Sequence, residues 1–92
     1  MTITWQHFGP WLRRVRTRQG LSQETLAGHL GYERIHIWRL EHGERRPSKQ
    51  FLRLLALTTT LTPTDKKLLS VFEQMIAYHC EDVEIDEAGD GA

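Results

Sequence analysis

Thiol chemistry is almost absent from this chain. One cysteine, Cys80, cannot close an internal disulfide, which fits a reducing compartment. The five histidines, His7, His29, His36, His42 and His79, share no metal-ligand spacing, so no metal and no other cofactor is expected. No stretch of 18 apolar residues could serve as a membrane span. The leading MTITWQHFGP lacks the basic region and apolar core of a secretory signal, and a cytoplasmic protein is expected. A glycine-rich phosphate loop, a serine elbow and a paired-carboxylate site are all missing. Glu41 and His42 adjoin, but neighbours on a helix point apart, so an enzyme is not expected. Strand-type alternation is lacking as well, and helix formers dominate. An all-α fold follows, and 92 residues suffice for one domain with one core.

The net charge of zero conceals a segregation. All twelve Lys and Arg lie between Arg13 and Lys67, whereas Glu81, Asp82, Glu84, Asp86, Glu87 and Asp90 crowd the last twelve residues. Residues 1–80 therefore set twelve cations against six acids and attract polyanions.

The stretch from Ser22 to Gly43 organises the rest. Ser22 is a good N-cap, Glu24 sits where the helix dipole favours a negative charge, and Leu26, Ala27 and Leu30 form an apolar stripe. Gly31 stops this helix, since glycine enters the left-handed conformation without strain. A second helix is expected from about Glu33 to His42. At 100° per residue its inward side gathers Glu33, Ile37 and Leu40. The outward side gathers Arg34, Ile35, Trp38, Arg39 and His42, which is not an ordinary solvated face. Arginine is the commonest side chain on guanine edges, and Trp and Arg are also enriched anchors of protein interfaces.

Arg16, Gly20, Leu21, Ser22, Gln23, Glu24, Leu26, Ala27, Gly31, Glu41, Gly43, Arg46 and Pro47 stand in register with one pattern. Those residues resemble the helix-turn-helix of the phage-repressor (XRE) family, and the looser resemblance covers roughly residues 5–79. It implies a compact five-helix domain with the helix-turn-helix at its second and third helices. The implied function is sequence-specific binding of double-stranded DNA in transcriptional regulation. The resemblance puts Arg34 at the main base-reading position, with Ile35, Trp38 and Arg39 at neighbouring DNA-side positions. It assigns phosphate contacts to Gln23 and to Arg45, Arg46 and Lys49, and an ion pair between Arg16 and Glu41. Glu33 departs from the usual Ser or Thr, and Trp38 from the usual small residue. Trp38 could meet a sugar edge, pack on the first helix or serve a protein contact. The alternative function is thus a protein-interaction module on the same scaffold, antitoxin-like or adaptor.

Around this centre the chain divides simply. A first helix is expected over residues 4–19, with Gly9-Pro10 delaying its continuous part to about Pro10. Arg13, Arg14 and Arg18 on it read either as a solvated face or as phosphate contacts. Ser48 caps a fourth helix from Lys49 to Thr58, apolar enough to be largely buried through Phe51, Leu52, Leu54, Leu55 and Leu57. Thr62-Pro63-Thr64-Asp65 restarts the chain as a capping box with Pro in the first turn, and a fifth helix runs to about His79. Val71 and Tyr78 widen its apolar surface, which suits either a homodimer contact or mere cover for the core. Residues 81–92 form an acidic, disordered tail that solubilises the domain or competes with DNA for its basic face.

Overall fold

The computed structural model describes residues 1–86. It contains five helices: α1 (Phe8–Arg18), α2 (Gln23–Leu30), α3 (Arg34–Glu41), α4 (Lys49–Thr58) and α5 (Pro63–Ala77). Two short strands, β1 (Thr2–Thr4) and β2 (Asp82–Glu84), complete it, with a 3-10 turn at Trp5–His7 between β1 and α1. The fold is all-α with one small sheet.

Three of the helices, α2, α4 and α5, begin where a side chain can satisfy a free amide. Ser22 Oγ accepts from Thr25 N at 3.0 Å, and Ser48 Oγ accepts from Phe51 N at 3.0 Å. At α5, Thr62 Oγ1 accepts from Asp65 N and Asp65 Oδ2 accepts from Thr62 N, both at 3.1 Å, which is the anticipated capping box. Glu33 makes no side-chain cap and is exposed, so it belongs to neither α3 nor its inward face. A buried carboxylate there would lack a partner, and the core side of α3 is Ile37 and Leu40 alone.

α1 starts two residues earlier than its Gly-Pro pair implies. Phe8, Gly9 and Pro10 occupy the first turn, where a missing amide hydrogen costs nothing. Gly9 is buried because α3 passes over it: a Cβ there would lie 2.3 Å from the Glu41 carbonyl oxygen. Its role is close approach between helices rather than interruption.

The core joins Phe8, Trp11, Leu12 and Val15 of α1 to Leu26 and Leu30 of α2, and to Ile37 and Leu40 of α3. Phe51, Leu52 and Leu55 of α4 and Phe72 and Met75 of α5 close it. Phe72 sits among three rings, edge-on to Phe8 at 5.1 Å and beside Trp11 and Trp5 at 5.4 and 5.8 Å. Leu57, expected inside, is 76% exposed.

The sheet corrects the expected tail. β1 and β2 pair antiparallel, with Thr2 opposite Glu84, Ile3 opposite Val83 and Thr4 opposite Asp82. Ile3 is 1% exposed, so its burial anchors the pair, while Val83 and Ile85 pack partly against the core. α5 ends at Ala77, and His79 in the left-handed region (φ 54°) turns the chain back towards β1. Residues 81–86 are therefore part of the fold. The rest of the expected tail, 87–92, lies outside the described residues.

Candidate nucleic-acid interface

The geometry of α3 is fixed by a buried network at its C-terminal end. Arg16 grips Glu41 with both arms of its guanidinium, Nε to Oε2 at 2.6 Å and Nη2 to Oε1 at 3.0 Å. The Glu41 side chain is 2% exposed and that of Arg16 11%, and the third arm donates to the Leu21 carbonyl at 2.8 Å. A bidentate pair of this kind supplies direction as well as attraction. It ties α1 to α3 and to the turn before α2, as the resemblance implied.

The network continues outwards. Gln23 Nε2 donates to Glu41 Oε1 at 3.1 Å, and Gln23 Oε1 accepts from Arg34 Nη1 at 3.4 Å. Gln23, expected to hold a phosphate, thus spends one amide hydrogen inside the protein and braces Arg34. Its backbone N–H stands at the first position of α2, where the helix dipole favours an anion. The turn between α2 and α3 closes through Gly31, at φ 78°, with Tyr32 N donating to the Ala27 carbonyl at 2.8 Å.

Two hollows flank α3. One, of about 470 Å³, gathers Arg13 and Arg16 of α1, Gln23, Arg34, Trp38, Glu41 and His42. The other, of about 320 Å³, gathers Gly31, Tyr32, Glu33, Ile35, His36, Arg39 and Arg45. The ridge between them carries the outward side chains expected from the sequence, with Arg34, Ile35 and Arg39 exposed. Trp38 is half-buried and lies flat on His42, ring centroids 4.0 Å apart, while His42 Nδ1 donates to the Trp38 carbonyl at 2.8 Å. That stack holds the indole on the helix rather than leaving it free to insert.

The cations around α3 fall into two sets. Among the described residues Arg13, Arg34, Arg39, Arg45 and Lys49 form no ion pair. Arg18 pairs instead with the buried Asp65, and Arg46 pairs with Glu81 at 2.8 Å while its guanidinium covers the Trp5 ring at 5.5 Å. Arg46 is therefore drawn towards the start of the C-terminal strand, whereas Arg45 Nη1 stands 3.5 Å from His36 Nδ1 and Lys49 is exposed. His36, stacked on Tyr32 at 4.5 Å, completes the second hollow. Burial, then Arg45 and Arg39, push its pKa below the ordinary histidine value, which favours the neutral ring.

Arg13 and His36 are the positions that sequence reasoning left unassigned. Arg13 was one of three arginines on a crowded helix side, and only the packing of α1 against α3 brings it beside Arg34. His36 lay on neither face named from the wheel.

Two helices joined by a left-handed glycine turn, the second standing proud with its polar face open, define a DNA-binding helix-turn-helix domain. Residues 7–69 match the helix-turn-helix domain family, and the chain belongs to it. No curated protein and no solved structure gives a significant match. Among the described residues no helix is long and apolar enough to cross a membrane, and no group of three His, Cys, Asp or Glu is placed to hold a metal.

Proposed function

We propose that this chain is a sequence-specific transcriptional regulator whose α3 enters the major groove of double-stranded DNA. One observation carries this: α3 presents Arg34 and Arg39 to solvent without acidic partners among the described residues, between flanking cations at Arg13 and Arg45. Arg34 and Arg39 read base edges, with Ile35 and Trp38 giving apolar contact beside them. Gln23, Arg45, Arg46 and Lys49 hold phosphates, which position the protein without carrying sequence information. Binding is as a two-fold homodimer, with half-sites about one helical turn (~34 Å) apart. The dimer contact involves α5, beyond whose end Tyr78 is 75% exposed.

Arg46 cannot serve Glu81 and a phosphate equally well. The beginning of the acidic C-terminal segment thus competes with DNA for one of the backbone contacts. A protein-interaction role retains one support, the exposed Ile35 beside the Trp38–His42 stack.

The test is selection of bound sequences from random duplexes, followed by a salt titration on the selected site. A DNA reader enriches one sequence, and its affinity falls with a log–log slope of about −0.9 per phosphate contacted. Failure to enrich any sequence, with binding to protein partners that depends on Ile35 and Trp38, would establish the interaction module instead.

A further inference from the structure

The outward side of α3 carries one apolar side chain that the packing of the fold does not account for. Ile35 is 41% exposed, although an isoleucine left in water forfeits the gain of burial. The other apolar residue of that side, Trp38, spends one ring face on His42 at 4.0 Å. Ile35 lines the hollow that also gathers Glu33, His36, Arg39 and Arg45. Arg39, four residues on, is exposed and lies next to Ile35 along the same face of the helix.

We infer that Ile35 determines specificity by requiring a pyrimidine with a C5-methyl group next to the guanine read by Arg39. This rests on α3 being the helix that enters the major groove. Base-pair edges in that groove offer hydrogen-bond donors and acceptors and a single kind of apolar group, the C5-methyl. An aliphatic side chain pressed against them gains only where it meets that methyl. Against a bare cytosine or adenine edge it would take water from polar atoms without pairing them. The branched Cβ holds an isoleucine in essentially one χ1 rotamer on a helix, so the backbone of α3 fixes where the methyl has to lie. Arg39 supplies the two-point contact to guanine O6 and N7. Glu33, on the same hollow, can accept from the amino group of the cytosine paired to that guanine. Thymine and 5-methylcytosine present the same methyl group to Ile35.

The experiment starts from a duplex selected out of random sequence and replaces each thymine in turn by deoxyuridine, which removes the methyl and keeps the pairing. One thymine in each half-site, beside a guanine, is sensitive. Its replacement weakens binding about fourfold in anisotropy titrations, the worth of one buried methyl group. In Ile35→Ala the same replacement changes nothing, and affinity for a scrambled duplex equals that of the unmutated chain, which shows that the variant is folded. A second arm puts cytosine and then 5-methylcytosine at that position: the methylated base binds about fourfold more tightly, again only with Ile35 present. Whether the thymine or the 5-methylcytosine duplex binds more tightly identifies the base the site takes, and either order supports the methyl contact. If one sequence is enriched but none of its thymines is sensitive, the inference falls while the DNA reading stands, and Ile35 is left to a protein contact. A methyl effect that persists in Ile35→Ala overturns it as well. Failure to enrich any sequence removes the DNA reading and this inference together.

Discussion

Arg16 and Glu41 are residues whose partnership is written in the motif, and they meet as it implied, with Glu41 almost wholly buried. Gly9 shows what a motif does not carry. Its neighbour in space is the Glu41 carbonyl, 32 positions away along the chain, so its smallness reads locally as a helix breaker. Arg46 was legible as a cation near α3, but its pairing with Glu81 depends on a strand brought back from the far end. Replacing that acid, Glu81→Gln, frees Arg46 without touching the core. DNA affinity at low salt then rises, and the salt slope steepens by up to about 0.9, measured by fluorescence anisotropy. An unchanged slope would mean that Arg46 never reaches phosphate. His36 gives a second prediction at this scale. Burial and two arginines hold its pKa below the unfolded value of about 6.5. Its contribution to stability is therefore full above that pH and is lost as pH falls through the lowered folded value. Phosphates arriving near Arg39 and Arg45 reverse the sign by favouring the charged ring. DNA binding then takes up a proton and tightens as pH drops from about 7.5 to about 5.5, whereas His36→Gln flattens that dependence.

The starts of α2, α4 and α5 were the most readable features, because caps are local chemistry, whereas α1 and α3 begin without a side-chain cap. Ser22, Ser48 and the Thr62–Asp65 box do what their side chains allow within three residues. What local chemistry could not disclose is that Asp65 has a second duty. It is 4% exposed and also pairs with Arg18 of α1, so one carboxylate caps α5 and fastens it to another helix. Burial raises its pKa, but the hydrogen bonds from Arg18 and Thr62 outweigh that and leave it low. Asp65→Ala removes cap and clamp together and should cost about 2–3 kcal/mol in urea unfolding, more than the ~1 kcal/mol of an ordinary cap. The strands were the least readable elements. Each is three residues long, below what alternation can establish, and the only hint was Val83 and Ile85 two apart in an acidic segment. Composition favoured a disordered tail there, and pairing with the N-terminal residues overrode it, because Ile3 gains burial that neither strand offers alone.

At the scale of the molecule, the separation of charge along the chain becomes a separation in space that is only partly kept. The cations of α1, α3 and the loop after it converge around the helix-turn-helix. The first acid of the C-terminal segment then returns to touch that set at Arg46. The sheet that brings it back joins the N- and C-terminal segments, the least informative parts of the sequence. The helix-turn-helix itself was legible because its spacing is dense and its reasons are local. The sheet was not, since it exists only where residues 2–4 meet residues 82–84. The central claim remains that α3 reads bases, and Arg34→Ala measured on two duplexes tests it most directly. Anisotropy titrations at one salt concentration should show a loss of about 1–3 kcal/mol on the selected site and little change on a scrambled duplex of equal length. An equal loss on both duplexes, or none on either, would contradict it.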